Sequence, residues 1–510
     1  MVCFHGLGPQ EGVAILDTAV RAEQPSLTVN AIMNAIGQVS GVLFPLVTFP
    51  YISRVLQPEG LGKVSFAQAI VAYFAMIASL GIPLYGTREA AKVRDDKRKL
   101  SQLAAELFTL NLIMTFAAFA AFAVFMALSK KTSADPLLFW ICTLPVLFGP
   151  VGFGWLFSGL EEFTFVTIRT IAFRFLTLIA IFVFVHKGTD FVAYALIVGL
   201  NATGANLINL FYARRYFELS LVNFRDLRIW KHMKPVLLVF ALGAVISIYT
   251  SLDKIMLGFL TNDSQVGYYM VGDRLVKVVV MMVTTLGAVM LPRVSYCLQN
   301  NQDAEYGRLA NLSIRIVSLL SFPAALGLVV IARPLVLAFS GSAFVESILP
   351  ARLMSLNVIF IAISNFISFQ VLYPQNKENL LIISVLTGAI VNFGLNWLLI
   401  PTWHATGAAA STLIAECGVT TAQIIISQPY YRFVWPLKQM LQYGVIALFM
   451  AAMVYFSLPI LESTLLQLII LVPLGMAMYM LFILLRKDEL VLRLLRKFSM
   501  LFARAGSVEG

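Results

Sequence analysis

Apolar runs of roughly 20 residues recur along this chain from one end to the other. That is the length an α-helix needs to cross the hydrocarbon core of a bilayer. Inside lipid every backbone N–H and C=O must be satisfied within the segment, so such runs fold as helices. The composition agrees: 59% of the 510 residues are hydrophobic and only 12% are charged, against about 25% charged in soluble domains. The expected class is an all-α integral membrane protein with about 14 transmembrane helices. They are expected near 30–51, 64–85, 103–128, 137–157, 165–186, 190–212, 234–259, 266–292, 309–332, 348–372, 380–400, 405–427, 439–458 and 463–485. The loops between them are short and leave no room for a large extramembrane domain.

The net charge of +11 has a topological reading. With the spans as drawn, 24 Lys/Arg fall on the side of the termini, 6 on the other side and 7 inside spans. Positive charge marks cytoplasmic loops, so both termini are expected in the cytoplasm. No basic run is interleaved with a soluble fold, and a nucleic-acid partner is not expected. Cys3, Cys142, Cys297 and Cys417 are far apart, which suggests neither a disulfide framework nor a zinc site. His5, His186, His232 and His404 are equally scattered and read as loop or interfacial residues. Residues 1–25 lack the basic start, apolar core and small-residue cleavage site of a signal peptide, and read as a loose tail.

The chain repeats itself at about 200 to 220 residues. LGKVSFAQAIVAYFAMIASLGIPL (61–84) is echoed by VGYYMVGDRLVKVVVMMVTTLGAVML (266–291), and FSGLEEFTFVTIRTIAFRF (157–175) by LYPQNKENLLIISVLTGAIVNF (372–393). This predicts a tail (1–29), a six-helix bundle (30–212), a basic cytoplasmic linker (213–233), a second six-helix bundle (234–427), helices 13 and 14 (428–485) and a basic tail (486–510). Six is even, so the bundles share one orientation, about an axis along the membrane normal. Such repeats are found in transporters, whose substrate path runs between the halves.

Seven cations lie inside spans: Arg169, Arg174, Lys254, Arg274, Lys277, Arg315 and Arg352. A charge at the bilayer centre costs about 2.5–3.5 kcal/mol on insertion scales, so such residues usually face a cavity or a partner. The hairpin of spans 7 and 8 carries Asp253, Lys254, Asp273, Arg274 and Lys277, two acids and three bases. Asp273 and Lys277 are four apart, on one helical face. The set reads either as a salt-bridged lock or as the cationic wall of a water-filled cavity with one carboxylate free to titrate. Arg174 is the deeper cation of span 5 and a cavity candidate, and Arg169 is placed to snorkel to the cytoplasmic interface; Arg315 and Arg352 read either as interface snorkellers, cytoplasmic and outer respectively, or as further cavity residues. The GxxxG of Gly37 and Gly41, followed by Pro45 and Pro50, reads as close helix packing or as a moving bend.

PYISRVLQPEGLGKVSFAQAIVAYFAMIASLGIPLYGTREAAKVRDDKRKL (50–100), SGLEEF (158–163) and SLDKIMLGFLTNDSQVGYYMVGDRL (251–275) resemble bacterial oligosaccharide flippases of the Wzx type. These form the polysaccharide-transport branch of the multidrug/oligosaccharidyl-lipid/polysaccharide (MOP) exporter superfamily. The resemblance spans roughly 30–486. It implies two six-helix lobes in a V, with helices 13 and 14 appended. It implies translocation of undecaprenyl-diphosphate-linked oligosaccharide across the bacterial inner membrane, for O-antigen or exopolysaccharide biosynthesis. By motif position it gives the cationic-cavity role to Arg54, Arg88, Lys254 and Arg274. Arg174, by depth, and Lys277, from the hairpin, are added to this substrate-binding set. Gln57 departs from the family's glycine after RVL and puts the turn geometry there in question.

Guanidinium groups bind phosphate bidentately, which suits a diphosphate. Tyr51, Tyr249, Tyr268 and Tyr269 are candidates to meet sugar. Asp253 and Asp273 are the ion-coupling candidates in a rocking, alternating-access cycle. A drug/cation antiporter or a lipid II flippase on the same architecture is the competing reading, and a membrane glycosyltransferase or polymerase a more distant one. An antiporter of organic cations favours buried acids, and here bases outnumber them. No cofactor, metal or catalytic residue is called for. Membrane lipids, a polysaccharide polymerase and a chain-length regulator are the partners considered.

Overall fold

In the computed structural model, residues 27–492 are described. The expected tails 1–29 and 486–510 fall largely outside them, as do Cys3 and His5. All regular elements among the described residues are helical. The α-helices are α1 (Leu27–Ser79), α2 (Ile82–Lys92), α3 (Lys97–Leu128), α4 (Pro136–Cys142), α5 (Leu144–Leu147), α6 (Gly154–Gly159), α7 (Phe163–Phe184) and α8 (Phe191–Ala213). They continue as α9 (Met233–Leu260), α10 (Asp263–Gln299), α11 (Asp303–Ser340), α12 (Ile348–Ile367), α13 (Glu378–Ile426), α14 (Leu437–Ser457) and α15 (Thr464–Leu485).

Ten of these stretches are long and apolar enough to cross a membrane, or 11 with the bent pair Pro136–Leu147 and Pro150–Gly159 taken as one. This multi-pass count is lower than the 14 expected from the sequence. Two expected pairs of spans are each continuous. Spans 1 and 2 form α1, broken at Gln57, and spans 11 and 12 form α13, broken at His404. α9 is not among the ten. The 44° bend of the fourth span coincides with Pro145, Gly149, Pro150 and Gly152, which interrupt its hydrogen-bond ladder.

Gln57 has φ 59° and ψ 177°, a conformation that suits glycine, and its Nε2 donates to the Arg54 carbonyl. Here the unusual residue keeps the glycine-like backbone. The Gly37–Gly41 pair serves close packing. An added Cβ would lie 3.2 Å from Thr167 Oγ1 at Gly37 and 3.3 Å from Arg174 Nη2 at Gly41, both on α7.

α1 and α10 make the broadest contact between elements. The second arm of α1 and the start of α10 cross without side chains between them. A Cβ on Gly62 would fall 1.7 Å from the Asp263 carbonyl oxygen, and one on Gly267 2.1 Å from the Pro58 carbonyl oxygen. The Ser65 hydroxyl contacts Met270 Sδ beside them. Gly62 and Gly267, Pro58 and Asp263, Ser65 and Met270 are each 205 positions apart, which is the register of the sequence repeat. The two repeats therefore meet as mirror roles of one contact, about a pseudo-two-fold axis. Around this clasped end, Lys131 pairs with Asp263 at 3.0 Å, and Arg54 Nη2 donates to the Ala338 carbonyl at 2.5 Å.

The opposite end holds the linker between the halves. His232, expected as a loop or interfacial residue, is instead buried at 3% exposure. Its Nδ1 meets the Tyr85 hydroxyl at 2.7 Å and its Nε2 meets Glu106 Oε2 at 2.8 Å. Glu106 also pairs with Lys231 at 2.6 Å and accepts from the Arg228 N–H. α14 and α15 pack on α11, where Arg315 pairs with Asp488 at 3.2 Å and Tyr443 donates to the same carboxylate.

Candidate functional site

The α9–α10 hairpin divides its charges into two separate networks. Asp273 sits between Lys254 and Lys277, 2.9 Å from each ammonium. Lys277 is the exposed partner, and Lys254 is mostly covered. Asp253, next to Lys254 in sequence, points elsewhere, because adjacent residues on a helix diverge by about 100°. It is 4% exposed and accepts from Tyr269 Oη (2.5 Å), Thr412 Oγ1 (2.8 Å) and Asn396 Nδ2 (2.6 Å). No Lys or Arg pairs with it among the described residues. The hairpin is thus a salt-bridged lock on one face and, on the other, a buried carboxyl held by uncharged donors with no cation beside it among the described residues.

Arg274 is on neither network. Its guanidinium lies over the Phe49 ring of α1, 5.2 Å from the centroid, and no carboxylate among the described residues pairs with it. It borders a cavity of about 600 Å³ between α1, α10, α11 and α15. Phe49 and Leu46, Val279, Leu335 and Val472 are typical of the walls, and the charged residues lining it are Arg274 and Lys277. The result is an apolar chamber whose α10 wall carries Arg274, with no carboxylate partner among the described residues, and Lys277, which Asp273 engages.

The other residues expected to form the cationic cavity lie elsewhere. Arg54 caps the C-terminal end of α11 at the clasp. Arg88 is exposed on α2 beside Glu89. Arg174 is turned onto α1, donating to the Gly37 carbonyl at 3.0 Å and to Ser40 Oγ. Lys254 is engaged by Asp273. Arg169 does not snorkel; it bonds Asn209 and the Ala205 carbonyl within the first half. Of the tyrosines, Tyr51 donates to the Val185 carbonyl, Tyr249 to Glu416, Tyr269 to Asp253, and Tyr268 packs on Phe344. None of the four lines the chamber.

Sequence reading missed Asn392, Asn396, Thr412 and Glu416, which complete the surroundings of Asp253. A signal was present. Asn392 and Asn396 are four apart within the apolar run AIVNFGLNWLLI, so they share one helical face. It also missed the contribution of α15, whose Leu468, Ile469, Val472 and Pro473 give no motif to recognise.

Comparison with known proteins places this geometry. Residues 27–297 match the family described as "Polysaccharide biosynthesis protein". A protein of Escherichia coli (strain K12) named "Putative O-antigen transporter" is 26% identical over 414 residues, which cover 78% of this chain and 96% of that one. A solved structure titled lipid II flippase MurJ, inward closed conformation, superposes with a TM-score of 0.73 at 13% identity, covering 91% of this chain and 100% of that one. An inward-facing multidrug resistance MATE transporter of the MOP superfamily gives 0.59 at 13% identity, covering 82% and 98%. The chain has the MOP-superfamily fold and belongs to the polysaccharide biosynthesis protein family.

Proposed function

We propose that this protein flips undecaprenyl-diphosphate-linked oligosaccharide across the bacterial inner membrane by alternating access of two bundles, residues 30–212 and 234–427. Both termini are cytoplasmic in this reading, so the clasp faces the periplasm and the Glu106–His232 end the cytoplasm. The observation that carries it is the apolar chamber edged by Arg274 and Lys277. Apolar walls suit a polyprenyl chain, at about 0.8 kcal/mol for each buried methylene. The α10 cations suit the diphosphate, with Arg274 able to bind two oxygens at once. An organic cation would meet like charge in the same chamber, which disfavours the drug-antiporter reading. The similarity to the E. coli protein favours an O-antigen-type glycan over lipid II.

Coupling is assigned to Asp253 rather than Asp273. Asp273 is neutralised by Lys254 and Lys277, whereas the donors to Asp253 among the described residues are all uncharged. A buried carboxylate without a cation is costly, so uptake of a proton or a monovalent cation there stabilises one state of the cycle. Transport, not catalysis, is the role read for these carboxyls.

The test is deletion of the gene, with analysis of lipid-linked intermediates and surface glycan, then complementation with wild type and Arg274→Ala. Loss of glycan with accumulation of the lipid-linked oligosaccharide in the inner leaflet is expected. Arg274→Ala, at normal membrane abundance, is expected not to restore it. Intact surface glycan in the deletion strain refutes the function, and full rescue by Arg274→Ala refutes the role of the chamber.

A further inference from the structure

The linker that joins the two halves runs from the end of α8 to the start of α9 with three short 3-10 turns, at Leu219–Leu221, Phe224–Asp226 and Ile229–His232. One side of it is stitched along the first turns of α3. The Glu218 N–H donates to Ser101 Oγ, the Asn223 N–H to Gln102 Oε1 and the Arg228 N–H to Glu106 Oε1, each at 3.0 Å. Val222 is buried and Ile229 packs on the core of the first half. Two aromatic rings of the same linker are nevertheless left outside: Phe224 is 62% exposed and Trp230 71%. The charges around them are lopsided. From 223 to 234, Arg225, Arg228, Lys231 and Lys234 are basic and Asp226 alone is acidic. Asp226 accepts from Asn223 Nδ2 at 2.6 Å, and Lys231 is held by Glu106. Arg225 and Arg228 are exposed, and no carboxylate among the described residues pairs with either.

The neighbouring helices fix the depth of this face. α3 has 32 residues, about 48 Å at 1.5 Å per residue, and so outruns a hydrocarbon core of about 30 Å. The stitched residues 101–106 lie in its first three turns, where the helix leaves that core. On the other side, the exposed apolar surface of α9 begins at Leu237 and Leu238, seven and eight residues after Trp230 and about 10–12 Å further along the axis. Phe224 and Trp230 therefore stand at the level of the headgroups. Aromatic rings favour that level, and cations beside them are drawn to anionic lipid. We propose that the linker face carrying Phe224, Arg225, Arg228 and Trp230 docks on the anionic lipid headgroups of the leaflet that borders it. The rings lie among the headgroups, and the two free guanidinium groups take phosphate oxygens, a geometry that suits their planar fork. The linker is the connection between the halves, so the headgroups hold that connection at the bilayer surface. The docking holds for whichever leaflet borders this end and does not depend on the transported substrate.

The test is hydrogen–deuterium exchange of the purified full-length protein in nanodiscs of phosphatidylcholine alone and of phosphatidylcholine mixed with phosphatidylglycerol, following the backbone amides of 219–232. Wild type is expected to exchange more slowly there when phosphatidylglycerol is present. Arg225→Gln with Arg228→Gln is expected to lose that difference. Arg293→Gln with Arg308→Gln removes the same charge from exposed positions of the second half and is expected to keep it. In nanodiscs with brominated lipid, the fluorescence that wild type has over Trp230→Phe is expected to be quenched, which places the ring in the bilayer. Equal exchange of wild type in the two lipid mixtures overturns the proposal. So does an unquenched Trp230, which leaves the face in water and open to a soluble protein partner instead. Equal loss of protection in the Arg293/Arg308 control also overturns it, because the effect is then diffuse surface charge and not a docking face. None of these readouts uses transport, so failure of the flippase reading leaves them standing.

Discussion

Replacing Gly62 by alanine puts a methyl group where the Asp263 backbone already is. The added Cβ would stand 1.7 Å from the carbonyl oxygen, 2.6 Å from its carbon and 3.0 Å from the Gly267 nitrogen. All three are backbone atoms, so no rotamer relieves the clash. α1 and α10 must separate locally by about 1.5 Å to restore normal contact. Overpacking typically costs 1–3 kcal/mol, and a rigid backbone neighbour puts this case near about 3 kcal/mol. The penalty falls only on the clasped state, because parting the halves removes the clash. A difference of about 3 kcal/mol is roughly a hundred-fold in the ratio of clasped to parted forms. Spin labels at Glu59 and Glu346, exposed residues on opposite halves at the clasp, read this ratio by double electron–electron resonance. Gly62→Ala is expected to move the distribution to longer distances. Gly394→Ala is the control: nothing lies within 4 Å of its added Cβ, and distances stay as in wild type. Wild-type distances and melting in Gly62→Ala would refute the clasp as the contact that closes this end.

Gln57→Gly relieves a backbone conformation that costs about 1–3 kcal/mol for a non-glycine residue, partly offset by the lost bond to the Arg54 carbonyl, so Tm in detergent is expected to rise. Asp273→Ala leaves Lys254 without its partner and is expected to destabilise by about 2–3 kcal/mol, while Lys277→Ala, at the exposed side of the same carboxylate, costs about 0.5 kcal/mol or less in chemical denaturation. Burial holds the His232 imidazole below its ordinary 6.5, against the opposing pull of Glu106. Below about pH 6.5 the unfolded chain takes up a proton that folded His232 does not, so stability is present above that pH and falls as pH drops. Melting at about pH 7.5 and about pH 5.5 checks this, and His232→Gln is expected to lose that part of the pH dependence.

Length and hydropathy made most of the helices legible, because a lipid-crossing segment has little choice of structure. Where breaks occur within a continuous helix, as at Gln57 and His404, sequence signals a turn but not that the arms stay joined. The repeat was readable as a register, yet not as a contact; nothing in the sequence of Gly62 says that it meets the repeat of its own equivalent. Side-chain partners were the least legible. Asp253 and Lys254 are neighbours in the chain and strangers in space, so counting the hairpin's charges together merged two networks. Arg174 was deep, as depth arguments required, but its guanidinium is spent on the α1 backbone. Arg274 stands apart because no acid among the described residues pairs with it, a property of the three-dimensional arrangement alone.

The paired glycines carry a consequence for ancestry. A contact in which Pro58 faces Gly267 and Asp263 faces Gly62 is self-complementary, as in a two-fold dimer of identical subunits. A half-length chain bearing one copy of that surface could have paired with another before the copies were fused. In one fused chain the two sides need not stay identical, and here they differ. The second copy alone carries Asp263, which salt-bridges Lys131, where the first has Pro58. The glycines are the same on both sides, and a side chain on either one is felt by both halves.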